Sequence, residues 1–159
     1  MSIKLVTPRR QKGAMLIEAL IGILLISVGV LGIVGLQASS IAAVTESKHR
    51  ANAAFLANQI LSRMWTDNPA NLTSYRNNAD GTGCAFSGTA STNTNVTNWL
   101  GASGSTGTVY DTLPGTSAAT QQIKVGTGNT VEINLCWRSP GAAAFHSYTL
   151  GTQINGTAP

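Results

Sequence analysis

Between Ala19 and Thr45 the chain carries no charged residue, and the first two-thirds of that span is almost wholly Leu, Ile, Val, Ala and Gly. An apolar run of about 18 residues or more has the length of a membrane-crossing helix. The helical pattern outlasts the apolar one: QASSIAAVTESKHRANAAFLANQILSRMWTDNP continues with helix formers and has no proline before Pro69. Leu56, Ile60 and Met64 recur at helical spacing with Leu61 and Trp65 beside them, opposite a polar face that includes Lys48, Asn52, Gln59 and Arg63. Such a stripe packs on something folded. Asp67, Asn68 and Pro69 end the helix, because the residue before a proline is driven out of the α region. A helix from Ala14 to Trp65 would measure about 78 Å, against about 30 Å for a bilayer core, so more than half of it serves another purpose. Gly22, Gly29, Gly32 and Gly35 each cost up to about 1 kcal/mol of helix stability relative to alanine in water, but they let neighbouring helices approach closely or let the helix loosen locally.

From Asn71 to Thr120 the pattern changes to Ser, Thr, Asn and Gly, with apolar points at Tyr75, Phe86, Val96, Trp99, Leu100, Val109 and Tyr110. This reads as loop-rich surface with a short strand, and Thr89 to Thr97 has the composition of a disordered segment as much as of a loop. Alternation then returns. QQIKVGTGNTVEINLCWRS predicts a strand, a Gly-Thr-Gly-Asn turn and a second strand, and HSYTL predicts a third. In the second strand Val131, Ile133, Leu135 and Trp137 share one face, with Glu132, Asn134 and Cys136 on the other. Three strands alone bury too little surface to be stable. The stripe of Leu56, Ile60, Met64 and Trp65 is the expected cover, which makes the fold class α+β.

A chain of 159 residues allows one compact domain and an extension. The net charge of +4 and the pI near 9.4 point to a nucleic-acid partner only if the charge is spread over the fold. It is not: Lys4, Arg9, Arg10 and Lys12 precede the apolar run, and the remaining bases and acids balance. No nucleic acid is therefore expected. Basic residues ahead of an apolar span keep that end in the cytoplasm and send the C-terminal part outward, into an oxidising compartment. There Cys84 and Cys136 are expected to form a disulfide, a loop closure worth about 4 kcal/mol on the chain-entropy model. With no paired-cysteine spacing, and with His49 and His146 in unrelated contexts, a metal site has less support. Cys136 faces away from the helix, so the bond would pin the loop-rich segment across the outer face of the sheet.

KGAMLIEALIGILLISVGVLGIVGLQ resembles the signal of type IV pilins. The resemblance implies a prepilin leader, residues 1–13, removed by a dedicated membrane peptidase directly after Gly13, with Ala14 as the new N-terminus. AFLANQILSRMWTDNPANLTSYR, together with LPGTSAAT through CWRSP, is similar to the minor pilins of the PilV pilus-modification group. The chain departs from the pilin pattern in having Ala14 where phenylalanine is common, which bears on N-methylation, and Gly35 where major pilins tend to carry a proline. The residues alone also favour an early cut, since a secretory signal is cleaved after an apolar stretch of about 7 to 15 residues, and this stretch is longer and comes after the cut. The rival is a conventional cut at Ser40-Ile41-Ala42, releasing a domain from Ala43.

Glu18 is an acid inside the apolar run, where a charge costs at least a few kcal/mol without a partner. After the cut it lies four residues, or about 6 Å of helical rise, from the Ala14 amine. The resemblance implies that in a filament Glu18 pairs with the Ala14 ammonium of an adjacent subunit and so sets the axial register. The alternative is an acid snorkelling at the interface of a single-span anchor. Other signals are weaker. Lys48, His49 and Arg50 form a basic cluster suited to solvent or lipid head groups. Asn71, Asn95 and Asn155 open Asn-x-Thr triplets that arise by chance in such a composition. Trp99 and Trp137 could form an aromatic surface, but alternation makes Trp137 core. No Gly-x-Ser-x-Gly, phosphate-cradling loop or paired-acid motif points to an enzyme, and no cofactor is expected.

These readings together make the expected architecture a type IV pilin fold: leader 1–13, hydrophobic transmembrane and filament-core helix 14–45, amphipathic continuation 46–68, and a periplasmic β-domain 69–159. The function implied is that of a minor pilin, in the bacterial inner membrane and then in the pilus. Its implied partners are other minor pilins, the major pilin, the prepilin peptidase, the assembly platform and membrane lipid. A pseudopilin of a type II secretion system shares this plan, and a single-span periplasmic binding module remains a third reading.

Overall fold

The computed structural model describes residues 12–101 and 105–154. The leader's Lys4, Arg9 and Arg10 and the Asn155 triplet lie outside them. The chain divides into two compact units, one up to Val44 and one from Thr45 onward. Helix α1, Lys12–Thr66, contributes residues to both. In the first unit its large apolar side chains are all exposed, from Ile21 at 51% to Met15 at 77%.

The second unit is a helix laid on a small antiparallel sheet. Strands β3 (Gln121–Val125), β4 (Thr130–Trp137) and β5 (His146–Gln153) pair in the order β3-β4-β5. The turn from β3 to β4 is tight because Gly128 and Asn129 both adopt positive φ, 65° and 56°. Alternation works as expected: Val131, Ile133, Leu135 and Trp137 are buried on one face. Ala53, Leu56, Ala57, Ile60 and Met64 of α1 join them in one core. Each large aliphatic side chain so buried contributes roughly 1.5–3 kcal/mol. Trp65 does not belong to this interface, being 47% exposed. It stands about 100° around the helix from Met64 and continues the flank of the half-buried Leu61 rather than the buried stripe.

The segment from Asn71 to Thr120 holds far more structure than its polar composition suggests. A 3₁₀ turn at Pro69–Tyr75 buries Leu72 and Tyr75. Strands β1 (Asp80–Thr82) and β2 (Ala85–Ser87) form a hairpin. Its two-residue turn, Gly83-Cys84, has φ of 64° and 66°, the double left-handed geometry that matches strand twist. Short helices α2 (Thr94–Leu100) and α3 (Val109–Thr112) come next. Of the two readings left open for Thr89 to Thr97, neither is complete: residues 89–93 are loop, and α2 begins at Thr94. The Asn93 side chain accepts from the Asn95 N–H at 2.8 Å and starts α2. Gly101, at φ 83°, stops it where a Cβ would collide with the Thr108 side chain. Val96 and Trp99 are the buried face, and the Trp99 indole donates to the Leu56 carbonyl at 2.9 Å, tying α2 to α1.

Cys84 and Cys136 are joined, closing a loop of 52 residues. The hairpin is thereby fastened over the polar face of β4, the face that Cys136 shares with Glu132 and Asn134.

Candidate functional site

The residues singled out for processing and assembly lie at the start of α1. Gly13 and Ala14 are both helical. A Cβ built on Gly13 would meet nothing within 4 Å. Glu18 stands four positions beyond Ala14, so the two sit one above the other on the helix surface. It is exposed and is the one charged residue from Gly13 to Thr45. The span beyond it is long and apolar enough to cross a membrane. Within that span the Ser27 hydroxyl donates to the Ile23 carbonyl at 2.7 Å, so its polar group is satisfied inside the helix. Open space surrounds Gly22, Gly29, Gly32 and Gly35, where a Cβ would touch nothing within 4 Å. This surface can do one thing chemically: present a continuous apolar face, notched by glycines, around a single carboxylate.

The second unit contains two polar constellations that sequence reasoning missed. Glu46 gathers donors from the far end of the chain: the Trp137 indole at 3.4 Å, the Ser139 hydroxyl at 3.4 Å and His146 Nδ1 at 3.2 Å. His146 also stacks on Trp137 with ring centroids 6.0 Å apart. Glu46 thus clasps the adjacent ends of β4 and β5 to α1. Nothing in the sequence links residues about ninety positions apart. His49, from the basic cluster, is partly buried and its Nδ1 has no hydrogen-bond partner among the described residues.

At the other end of this part of α1, Asp67 accepts from Asn71 Nδ2 at 3.0 Å, the Tyr75 hydroxyl at 2.7 Å and the Asn68 N–H at 2.7 Å. These bonds, the one from Asn71 foremost, hold the Asp67 carboxyl below the usual aspartate range. Burial, seconded by Asp67, pushes the Tyr75 hydroxyl up. Asn95 donates to that hydroxyl at 2.7 Å, so the triplet that Asn95 opens has a structural use.

On the outer face of the sheet, beneath the hairpin, Gln122, Glu132, Asn134 and Thr149 line a cleft beside the disulfide. Their polar atoms are largely committed to one another. Asn134 Nδ2 donates to Gln122 Oε1 at 2.9 Å and Glu132 Oε1 at 2.7 Å, and Thr149 donates to Asn134 Oδ1 at 2.6 Å. The Asn134 bond, ahead of the nearby Lys124, keeps the Glu132 carboxyl below its ordinary range. The arrangement links side chains of all three strands across this face of the sheet. No family model matches the chain, and neither a curated protein nor a solved structure matches it.

Proposed function

We propose that the chain is a minor pilin, a non-catalytic subunit with the type IV pilin fold that enters a type IV pilus and takes part in its initiation or modification. The observation that carries this reading is the exposed apolar length of α1 with its one carboxylate, Glu18, four positions beyond the Gly13-Ala14 junction. A helix with an unburied apolar surface needs lipid or other helices around it. Removal of the leader frees a positive nitrogen at Ala14, and a neighbouring Glu18 is its natural counter-charge in an apolar filament core. Apolar rods slide past one another at little cost, but a misaligned neighbour leaves both charges unpaired, at several kcal/mol. The α+β second unit, with its disulfide, is suited to the periplasm and the cell surface. The partners are then other pilins, the prepilin peptidase and the assembly platform.

The test is the mature N-terminus together with Glu18→Ala. Sequencing should find Ala14 first, and Glu18→Ala should still be processed yet enter pili at no more than a tenth of the normal level, the consequence of losing about 1.4 kcal/mol or more of register energy. Wild-type protein retaining Met1 would leave a plain membrane anchor, and Ala43 a released domain. Normal pilus entry of Glu18→Ala would refute the register role. Deletion separates the pseudopilin alternative, which predicts blocked protein export with surface pili intact.

A further inference from the structure

The two sulfurs of the Cys84–Cys136 bond stand in unlike surroundings. Cys136 is on β4, the central strand, between the buried Leu135 and Trp137, and is itself 1% exposed. Strands β3 and β5 flank it, and the hairpin lies over it. Cys84 occupies the two-residue turn at the tip of that hairpin and is only partly buried. Its neighbours Thr82, Gly83 and Ala85 are exposed, and a Cβ added at Gly83 would meet nothing within 4 Å. The base of the hairpin is held separately from its tip. There the Asn78 N–H donates to the Thr89 carbonyl at 3.0 Å, and Gln122 Nε2 donates to the carbonyls of Asn78 and Asp80 at 2.9 and 3.0 Å.

Thiol–disulfide exchange is a displacement in which a thiolate attacks one sulfur and the other leaves as a thiolate, by way of a mixed disulfide, so its rate depends on which sulfur can be reached. The attacking group must come in line with the bond, from the side opposite the leaving sulfur. For Cys136 that approach comes from the side of the sheet, where β4 and the core stand in the way. For Cys84 it comes from outside the hairpin, past a glycine that presents no side chain. Access therefore separates two sulfurs that are chemically alike.

We propose that Cys84 is the thiol-exchange site of this chain, the one sulfur through which the disulfide is opened and closed in the folded protein. A small thiol of the glutathione class, as its thiolate, attacks Cys84 Sγ. A new S–S bond forms to Cys84, the Cys84–Cys136 bond breaks, and its electron pair leaves on Cys136 Sγ, which takes up the proton that the attacking thiol gave up. One thiol is consumed and one is formed, so no further oxidant or reductant is needed. Closure follows the same path in reverse: Cys136 attacks the capped Cys84 sulfur and expels the thiolate bound there. A partner that oxidises the chain by donating its own disulfide therefore engages the Gly83-Cys84 turn, and the separately held base of the hairpin keeps Cys84 near Cys136 for the closing step.

The test uses the oxidised full chain in detergent micelles. It is treated briefly with reduced glutathione, its free thiols are blocked with N-ethylmaleimide, and it is cut with trypsin, which separates the two cysteines at Lys124, for mass spectrometry. Glutathione on Cys84 with N-ethylmaleimide on Cys136 should exceed the opposite labelling by about tenfold or more. In concentrated urea, which removes the cover of the sheet, the excess should shrink to about twofold or less. Equal labelling of the folded chain, or glutathione mainly on Cys136, would overturn the proposal. An excess undiminished by urea would do so too, since burial would then not be what sets the choice. So would a folded chain that forms no mixed disulfide under conditions where the urea-treated chain does.

Discussion

Ile60 and Trp65, five positions apart on α1, lie in opposite environments: Ile60 is fully buried and Trp65 is 47% exposed. Truncation of a buried isoleucine loses transfer free energy and leaves a cavity. Ile60→Ala should therefore cost about 2–5 kcal/mol in denaturant unfolding of the second unit, with the full chain in mild detergent. Trp65→Ala should cost about 1 kcal/mol or less. A loss at Trp65 equal to that at Ile60 would mean the tryptophan is core after all. Asp67 brings pH into the same region. Its folded carboxyl titrates below its unfolded value, so its contribution is present above about pH 4 and is lost as pH falls through the folded value. Unfolding midpoints of Asp67→Asn should accordingly fall less steeply than wild type between about pH 5 and pH 2, the variant having no carboxylate there to protonate.

At the scale of elements, the hairpin β1–β2 is the piece least able to stand alone. Its strands are three residues each, and Cys84 sits in a left-handed conformation that costs a non-glycine residue of order 1 kcal/mol. The bond to Cys136 holds it on the sheet. Replacing both cysteines by alanine should destabilise the second unit by about 4 kcal/mol, the closure entropy of a loop of 52 residues. In thermal melts monitored by near-ultraviolet circular dichroism the midpoint should fall well below that of wild type. Far-ultraviolet spectra recorded below the transition should keep the α1 signal, because that helix rests on its own hydrogen bonds and on Leu56, Ile60 and Met64. Helices α2 and α3 depend differently on their surroundings: at seven and four residues they are too short to persist unaided. Asn93, Gly101 and the contact of Trp99 with Leu56 hold α2 in place.

At the scale of the molecule, the first unit exposes all its large apolar side chains and the second buries most of its own, so the chain needs an apolar host for the first. After an alkaline carbonate wash of membranes the full chain should remain in the pellet. Recovery in the supernatant would contradict a spanning α1. Much of this organisation was legible in the sequence, because it depends on local periodicity. The apolar run, the stop before Pro69 and the alternating strands result from spacing and proline sterics, neither of which needs a fold to express itself, and the two cysteines are the only pair the sequence offers. The same is true of Glu18, conspicuous because its neighbours are uncharged. Tertiary structure decided the rest. Polar composition hid α2, although Val96, Trp99 and Leu100 stand at helical spacing, because its helical state relies on a cap and on a partner, Leu56, 43 positions before Trp99. The clasp of Glu46 on Trp137, Ser139 and His146 and the separation of Trp65 from its stripe are long-range outcomes of packing. So is the contrast between the buried Cys136 and the more accessible Cys84. A period records which way a side chain points, but whether anything waits there is set only when distant segments compete for the same surface.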